Sequence, residues 1–448
     1  MTEAASYHGF AGAFAVALKN VGIPLVAAIE PGGFGAQVVE RNREFLGFDG
    51  PIETRPLQPV PRERYPYEVY DASILLGNPP CSAWSTMNSS KTNRGRNAKV
   101  SQCMWDLIDY AGRMNGGHGP EVVVFESVQA AYTKGYDMMF ELWKELRGQT
   151  DEDYELTHLL MSGASCGAAQ MRRRYFWIAH KAPFGIASPD PKRVITYFDA
   201  IGDLEVQPAI LGGHPYVSDE GSSDFSEALR SPSGIVYDHE DLTNPRWTSL
   251  NEYWEPGEGS MAALQAYHSA TGSFPAAWGE KLGQAYLDKQ SFGQVYRIHH
   301  DSAGRVIMGS GGVDFFHWSQ PRTLTIRETA RLMGFPDDMR FDYAKPVIMF
   351  AHLGKQVPVQ SWEWVLRWVQ RCVEGDPGPW QGEVVGYKER VINVTNDFKA
   401  IYHQRSRIQP IECRTPAELA EYNSRPRMDI MDELAWPGAP LSLPSGAS

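Results

Sequence analysis

The stretch of sequence that decides the fold lies at residues 77–85 and reads GNPPCSAWS. It follows the largely apolar run SILL at residues 73–76, which predicts a buried strand. Two prolines stiffen the turn that leaves this strand, and Cys81 comes directly after them. Open α/β sheets bind ligands at the carboxyl ends of their strands. The pattern therefore predicts a cysteine held on a rigid turn at the binding edge of such a sheet.

Strand-like and helix-like segments alternate through this first part of the chain. Residues 23–30, 121–126 and 175–179 are apolar enough to form buried strands. Residues 34–45 and 103–114 have helical patterns and separate these strands. The alternation predicts an α/β fold with a mostly parallel, Rossmann-like sheet covered by helices.

The composition indicates a globular chain that works in a reducing compartment. The 448 residues are 42% apolar and contain no run of 18 apolar residues, so no membrane span is predicted. The five cysteines form no CxxC pair, which argues against a zinc site and a disulfide framework. The first residues, MTE, lack the basic and apolar regions of a secretory signal. We therefore expect a cytoplasmic protein without a bound metal.

Charge is unevenly distributed along the chain. The net charge is −12, which gives no general attraction for nucleic acid. Residues 187–318 carry 18 acidic and 8 basic side chains and so hold most of this excess. Glycine, proline and serine are frequent in the same region, and its periodicity fades. This composition predicts a separate, smaller and loop-rich domain. Such an acidic domain would contact a polyanion only through a local basic or polar face.

Four further motifs follow Cys81 in order. They are FESV at residues 125–128, QMRRR at 170–174, RTLTIRETARLMGFPDD at 322–338 and GKQVP at 354–358. Together with the Pro-Cys turn, this ordered set resembles the DNA cytosine-C5 methyltransferase family over roughly residues 6–372. The segment AIGDL, at residues 200–204, is similar to another motif of that family.

The resemblance implies a class I methyltransferase sheet with a target-recognition domain inserted in it. Residues 1–186 would form the first part of the catalytic domain, 187–318 the target-recognition domain and 319–375 the second catalytic part. In the family the last helix, here residues 361–373, packs beside the N-terminal segment. Residues 376–448 match no pattern and are predicted to form a tail or a lid.

The resemblance also assigns catalytic roles. Cys81 would add to C6 of a cytosine flipped out of the duplex, and Glu126 would hydrogen-bond and protonate N3. Addition at C6 turns C5 into an enamine carbon that can attack an electrophile, and it needs an accessible thiol with a lowered pKa. The apolar run before Glu126 predicts a raised carboxyl pKa, which suits a working acid. Arg172 and Arg174 would hold the cysteine and the flipped base in place.

The donor site is similar to that of the family but less regular. Glu30 ends the second strand and is placed to bind the ribose hydroxyls of S-adenosylmethionine, as acids do in dinucleotide folds. Three family residues, Asn, Pro and Asn, are replaced by Ser127, Ala169 and Lys355, and Phe14 replaces a second loop glycine. The candidate donor-binding residues are Phe10, Ala11, Gly12, Ala13, Phe14, Glu30, Pro31, Gly77, Pro79, Lys355 and Val357.

Lys355 leaves a choice between two donors. The family's asparagine at this position borders the sulfonium, and two positive charges about 4 Å apart cost roughly 4 kcal/mol at an effective dielectric of 20. Carboxy-S-adenosylmethionine would bring a compensating carboxylate, and the product would be 5-carboxymethylcytosine. If Lys355 turns to solvent or pairs with another acid, S-adenosylmethionine and 5-methylcytosine are expected.

Double-stranded DNA is the partner that the resemblance implies. Residues 89–99, SSKTNRGRNAK, carry four basic and no acidic side chains and resemble the family's mobile catalytic loop, which closes over DNA. RNA cytosine is an alternative substrate, and a non-catalytic DNA-binding relative is disfavoured by the retained Cys81 and Glu126. We expect a monomer. The candidate DNA-contacting residues are Ser85, Lys91, Arg94, Arg96, Lys99 and Gln170.

Overall fold

The computed structural model describes most of the chain up to residue 393. The described residues are 2–9, 12–31, 34–55, 68–85, 95, 98–187, 194–204, 212–216, 220–238, 245–288, 295–302, 304–308, 315–342, 345–376, 378, 383–386 and 388–393. Within these ranges the chain forms one nine-stranded sheet and two small two-stranded sheets. No helix in these ranges is long and apolar enough to cross a bilayer.

The strands are short, and most of them belong to the large sheet. In chain order they are β1 (Ala4–Tyr7), β2 (Leu25–Pro31), β3 (Ile52–Arg55), β4 (Ile74–Gly77), β5 (Val122–Ser127), β6 (Glu155–Ser162), β7 (Arg173–His180), β8 (Gly212–Pro215), β9 (Ile235–Asp238), β10 (Tyr296–Arg297), β11 (Phe315–Phe316), β12 (Glu383–Gly386) and β13 (Glu389–Asn393). The large sheet has the order β12-β13-β6-β7-β5-β4-β1-β2-β3. Strand β7 runs antiparallel to both of its neighbours and β12 antiparallel to β13, whereas the other pairs are parallel. The predicted α/β sheet of mostly parallel strands is therefore confirmed.

Helices cover both faces of this sheet. In chain order they are α1 (Ala13–Val21), α2 (Phe34–Arg41), α3 (Arg43–Leu46), α4 (Gln102–Arg113), α5 (Gln129–Thr150), α6 (Tyr197–Ile201), α7 (Asp224–Glu227), α8 (Pro245–Thr248), α9 (Ser260–Thr271), α10 (Gly279–Asp288), α11 (Ile326–Leu332), α12 (Pro346–Lys355) and α13 (Val359–Val373). Helices α4 and α5 share one apolar core with the sheet, and helices α1, α11, α12 and α13 share the other. Parallel strands that are buried on both faces explain why β4 and β5 read as unbroken apolar runs.

The last helix packs against the first, as the resemblance implied. Phe14 of α1 and Trp362 of α13 are both fully buried, and their rings meet edge to face at 5.5 Å between centroids. Phe14 stands where the family has a loop glycine, so the aromatic ring that replaces this glycine is used in the core. The contact brings residues 348 positions apart in sequence into the same core.

A smaller apolar core lies within residues 250–316. Its buried members include Leu250, Trp254, Trp278 and Phe316, and the rings of Trp254 and Phe316 stack at 4.9 Å between centroids. This separate core supports the expectation of a small domain in the acidic middle region. The domain boundaries at 187 and 318 remain predictions.

Buried charges connect that region to the catalytic domain. Arg331 of α11 pairs with Asp337 at 2.5 Å and with Asp203 at 2.6 Å, and all three side chains are almost fully buried. Asp203 belongs to the AIGDL segment that the sequence singled out. Removing one member of such a group would leave an unpaired buried charge, which typically costs 3–5 kcal/mol, roughly.

Part of the C-terminal segment joins the sheet. Strand β13 pairs in parallel with β6, and the buried Glu389 accepts a hydrogen bond from Tyr136 at 2.8 Å and lies 2.7 Å from Nε2 of His158. Arg390 pairs with Glu155 at 3.1 Å on the same edge. The predicted tail or lid therefore begins with two strands that extend the sheet, and residues 394–448 lie outside the described part.

Two buried histidines make stability depend on pH. Burial lowers the pKa of His180 and of His352 to about 4, whereas an unfolded histidine titrates near 6.5, roughly. Between these values the unfolded chain binds more protons than the folded one, so the free energy of unfolding falls as the pH drops through this window. We expect denaturant titrations to give a lower free energy of unfolding at pH 5 than at pH 7, and a smaller difference for His180→Gln.

The control for this prediction is His118→Gln, because the His118 side chain is 72% exposed. It should leave the pH dependence as it is in the unsubstituted protein. The neutral His180 ring donates from Nδ1 to the Ala182 carbonyl oxygen at 2.8 Å and accepts at Nε2 from the Thr157 hydroxyl at 3.0 Å. Glutamine also has one donor group and one acceptor group. An equal pH dependence in His180→Gln and the unsubstituted protein would contradict the assignment.

Candidate active site

Cys81 lies where the sequence predicted, on a turn beyond the carboxyl end of β4. The Asn78 amide donates to the carbonyl of Tyr7 at 3.2 Å, so the chain stays beside β1 as it leaves the strand. The Trp84 amide then donates to the Cys81 carbonyl at 3.0 Å and closes a tight turn. Cys81 is partly exposed as a residue, although its thiol is surrounded closely enough by protein that burial raises its pKa.

Glu126 lies on the neighbouring strand at the same edge. Gly77 of β4 is in register with Phe125 of β5, which places the next residue, Glu126, level with the start of the turn. Glu126 is fully buried and pairs with Nε of Arg174 at 3.2 Å. Among the residues that the structure describes, neither carboxylate oxygen of Glu126 accepts a hydrogen bond. A buried carboxyl with free hydrogen-bonding capacity is suited to bind a ligand.

The electrostatics of the two groups are linked. Burial raises the pKa of Glu126, and the positive charges of Arg174 and Arg172 only partly oppose this. The predicted direction for this acid is therefore confirmed. Burial and the negative charge of Glu126 also raise the pKa of Cys81, against the pull of the same arginines. The expectation of a lowered thiol pKa is therefore not met in this structure, in which the pKa of Cys81 is raised. Protonation of Glu126 would remove the repulsion and leave the arginines to favour the thiolate.

Arg172 connects the site to two distant segments. Its guanidinium donates to the carbonyl of Ile307 at 2.7 Å and to that of Gly354 at 2.6 Å. The side chain is almost fully buried, so these bonds fix its position. Arg172 therefore ties the start of β7 to the acidic middle region and to the end of α12, and it contributes positive charge near Cys81 and Glu126.

The glycine loop between β1 and α1 forms the neighbouring part of this edge. Gly12 has φ of 83°, a conformation that favours glycine, and it begins α1. The Gly9 amide donates to Oε1 of Glu30 at 2.5 Å, and the Ala13 amide donates to Oε1 of Gln356 at 3.3 Å. Phe10 and Ala11 lie outside the described residues. Glu30 thus holds the loop at Gly9, and Gln356, which lies between α12 and α13, holds it at Ala13.

The residues around this loop fit a polar ligand. Nδ2 of Asn78 and Nε2 of Gln356 are buried and have no hydrogen-bond partner in the described structure. Both residues border the β1–α1 turn, through the bonds of Asn78 to Tyr7 and of Gln356 to Ala13. Gly77, Pro79 and Val357 are buried at the same edge. For Pro31 the structure describes the backbone only. Unpartnered buried amides of this kind are expected where a ligand supplies the missing acceptors.

Lys355 differs from this group in its exposure. It is the last residue of α12, and its side chain is exposed, whereas the next residue, Gln356, is fully buried. Sequence comparison with the family drew attention to Lys355 and missed Gln356. The signal that could have found Gln356 was the end of a helix, because the residue that follows it leaves the helical path and can turn inward.

The candidate DNA-contacting residues are only partly described. Ser85 is partly exposed, four residues after Cys81. Lys91, Arg94 and Arg96 lie outside the described residues, and for Lys99 the structure gives the backbone, which begins a short 3₁₀ helix.

Gln170 was expected to contact DNA, but its side chain is buried. It is 1% exposed, and its amide nitrogen donates to the Leu332 carbonyl at 3.1 Å. The structure therefore places Gln170 in an internal contact between the start of β7 and the end of α11. The sequence could not reveal this, because a polar side chain next to three arginines looks like part of a surface patch.

The sheet order and the polar edge around Cys81 define a Rossmann-like class I methyltransferase fold. A family model described as C-5 cytosine-specific DNA methylase matches residues 8–371, and the chain belongs to this family. The Type II methyltransferase M.MthTI of Methanothermobacter thermautotrophicus is 23% identical over 321 residues, covering 69% of this chain and 82% of that protein. M.NgoPII of Neisseria gonorrhoeae is 22% identical over 318 residues, covering 68% of this chain and 77% of that protein.

A solved structure supports the fold independently. It is that of an E. coli prophage-encoded protein described as a DNA modification methyltransferase, with a TM-score of 0.58 at 16% identity. It covers 84% of this chain and is itself matched along its whole length. Membership of the family implies a methyltransferase that uses S-adenosylmethionine and modifies cytosine in DNA. The matched region ends at residue 371, so β12 and β13 lie beyond it.

Proposed function

We propose that this chain methylates C5 of cytosine in double-stranded DNA, with Cys81 as the nucleophile and Glu126 as the acid. The observation that carries the proposal is the pair itself. A buried carboxyl with a raised pKa and no hydrogen bond to either oxygen within the described structure lies on the strand next to the one that leads to Cys81, a partly exposed residue. These are the two groups that addition to a cytosine ring requires, one at C6 and one at N3.

The first step forms one bond and moves one proton. The Cys81 thiolate adds to C6, and the electrons of the C5–C6 double bond shift through the ring toward N3. Glu126 gives its proton to N3, so the ring becomes a neutral enamine and the carboxyl becomes a carboxylate. Arg174, 3.2 Å from Glu126, then stabilises the negative charge left on the carboxylate.

The second half of the reaction restores the ring. C5 would attack the methyl carbon of a bound S-adenosylmethionine, whose S–CH3 bond would break with its electron pair remaining on sulfur, so that S-adenosylhomocysteine leaves. Loss of the C5 proton to solvent or a base and return of the C6–S electron pair to Cys81 rebuild the C5–C6 double bond. N3 returns its proton to Glu126. The buried amides of Asn78 and Gln356 are the groups that we expect to orient the donor, and Glu30 would hold its ribose hydroxyls.

The proposed chemistry requires that the base leave the duplex. N3 of cytosine is paired with guanine in double-stranded DNA, so Glu126 cannot reach it there. Glu126 is also fully buried, so the base must enter the protein. Arg172 and Arg174 would contact the flipped base or fix the groups around it. The basic residues Lys91, Arg94, Arg96 and Lys99, together with Ser85, would neutralise phosphates outside the pocket.

Methyl transfer is favoured over carboxymethyl transfer. The carboxymethyl alternative depends on a Lys355 ammonium beside the donor, and the Lys355 side chain is exposed at the end of α12. We expect the protein to make 5-methylcytosine when S-adenosylmethionine and carboxy-S-adenosylmethionine compete at equal concentration. The measurement is mass spectrometry of nucleosides from the treated DNA, with an equivalent RNA as a second substrate.

Lys355→Asn gives the control for the donor experiment. If Lys355 faces solvent, this variant makes the same product at a similar rate. A predominance of 5-carboxymethylcytosine that Lys355→Asn converts to 5-methylcytosine would establish the carboxylated donor instead. Methylation of the RNA alone would establish the RNA alternative, and the absence of any modified nucleoside would favour the non-catalytic one.

A further inference from the structure

The indole of Trp84 packs against helix α5 at Gly135, which has no side chain. Trp84 is almost fully buried, three residues after Cys81, and its six-membered ring lies against Gly135. A Cβ atom built at Gly135 would lie 2.8 to 3.0 Å from three atoms of this ring, Cη2, Cζ3 and Cζ2. Real Cβ atoms hardly ever approach heavy atoms so closely, so any larger residue at 135 would push the ring away.

Gly135 distorts the helix that contains it. Its φ of −116° and ψ of 15° are not helical, although α5 continues on both sides. A glycine inside a helix costs about 0.5–1 kcal/mol relative to alanine. The same helix contains a second glycine, Gly148, and a Cβ atom there would meet nothing within 4 Å. Gly148 therefore serves as a control without a ring above it, and Gly135 has both the Trp84 ring and a non-helical backbone.

Backbone hydrogen bonds hold Trp84 and its neighbour Ala83 in place. The Trp84 amide donates to the Cys81 carbonyl at 3.0 Å, and the Gly95 amide donates to the Ala83 carbonyl at 3.0 Å. Gly95 is held in turn by Ser101, whose hydroxyl donates to the Gly95 carbonyl at 2.7 Å. The Trp84 ring lies over this position as well, 3.8 Å from a Cβ atom built at Gly95.

Helix α5 also follows directly from the acid. It begins at Gln129, three residues after Glu126, and Gly135 lies in its second turn. The Trp84 turn therefore carries the nucleophile, and the helix under it continues the strand that carries the acid. A shift of the ring on the helix would change the position of Cys81 relative to Glu126.

We infer that Trp84 and Gly135 form a positioning pair that sets the position of the Cys81 thiol relative to Glu126. The inference rests on the proposed function, because it concerns the efficiency of the same addition step. Both would act through Cys81, because the Trp84 ring packs against Gly135 and the Trp84 amide is hydrogen-bonded to the Cys81 carbonyl. The contact between the two residues depends on shape, because the atoms that meet the Cβ position of Gly135 are the ring carbons Cη2, Cζ3 and Cζ2 of Trp84.

The test uses the full-length chain and four variants. Gly135→Ala should lower the single-turnover rate of covalent addition to DNA that contains 5-fluorocytosine by at least about tenfold, because small misplacements of reacting groups cost up to about 10²-fold. The Kd for DNA should stay within about twofold of the unsubstituted value, since both residues are buried in the protein. Gly148→Ala, in the same helix, should change neither quantity.

The double variant decides between positioning and a general effect on the helix. Phenylalanine lacks the outer part of the indole that meets the added methyl group, so Trp84→Phe combined with Gly135→Ala should recover most of the addition rate. Trp84→Leu removes the ring and leaves Gly135 unchanged, and it should also form the covalent adduct slowly. If Gly135→Ala lowers the melting temperature strongly, the rates of Trp84→Leu and the double variant still decide.

The outcomes separate this inference from the proposed function. If the unsubstituted protein forms no adduct with the fluorinated DNA, the proposed function fails. If it forms the adduct and Gly135→Ala and Trp84→Leu form it equally fast, the positioning pair is wrong and the proposed function stands. A slow Gly135→Ala that Trp84→Phe does not rescue would also overturn the pair.

Discussion

Cys81→Ala will abolish both the covalent adduct and the methylation of DNA. Fluorine at C5 cannot leave as the proton does, so the bond from the thiol to C6 stays unbroken in DNA that contains 5-fluorocytosine. The unsubstituted protein should therefore give a protein–DNA band that survives denaturation. The alanine variant has no group that can add to C6, and its turnover should fall by roughly 10⁴-fold or more, the scale on which loss of a nucleophile acts.

The control for Cys81 is Cys166→Ala. Cys166 is also partly exposed, and it lies beyond β6 at a different strand end. Its removal should leave both adduct and turnover in place. Binding of DNA and donor by Cys81→Ala, measured directly, should remain, since the thiol is a small part of either contact. Full turnover by Cys81→Ala would disprove the assignment of the nucleophile.

The sequence predicted the parts of the site that depend on single strands and their ends. An apolar run followed by two prolines and Cys81 is a local pattern, and the structure has a strand and a turn there. The apolar run before Glu126 likewise predicted a buried carboxyl with a raised pKa. Parallel pairing of β4 with β5 then brings the two residues to one edge, as the alternation of strands and helices implied.

The contacts between distant segments could not be predicted in this way. Strand β13 joins the sheet beside β6, where the buried Glu389 meets His158, 231 positions away in sequence. The β-branched pair Val391 and Ile392 allows a strand at 389–393, but no local signal says which strand it pairs with. The Trp84–Gly135 contact is hidden for the same reason, because a glycine in a helix does not indicate what fills the space above it.

Lys355 and Gln170 illustrate a different limit. Both were chosen because of their neighbours in the motifs, and in each case the direction of the side chain decides the role. Lys355 ends α12 and is exposed, whereas Gln356 begins the next turn and faces Ala13. Gln170 precedes three arginines but donates to the Leu332 carbonyl inside the protein. A motif fixes which residue occupies a position, and the elements on either side fix where it points.

Glu126→Gln will show how much of the reaction depends on the proton at N3. Glutamine retains the size and the hydrogen-bonding capacity of the acid but has no proton that it can readily transfer. We expect the rate of methylation to fall by roughly 10²–10⁴-fold, the usual contribution of a general acid. DNA affinity should change little. Glu121→Gln, at the other end of the same strand with a side chain that is 48% exposed, is the matched control and should keep the full rate.

The pH dependence gives this prediction a second readout. The protonated carboxyl is the active form, so loss of its proton opposes the reaction as the pH rises, and burial raises the pKa at which this occurs. Because the pKa of Cys81 is raised as well, ionisation of the thiol gives the opposite trend, and the two together predict a bell-shaped profile. Glu126→Gln should lose the descending limb and retain the ascending one. A variant that reacts slowly but still has the descending limb would show that another group supplies the proton.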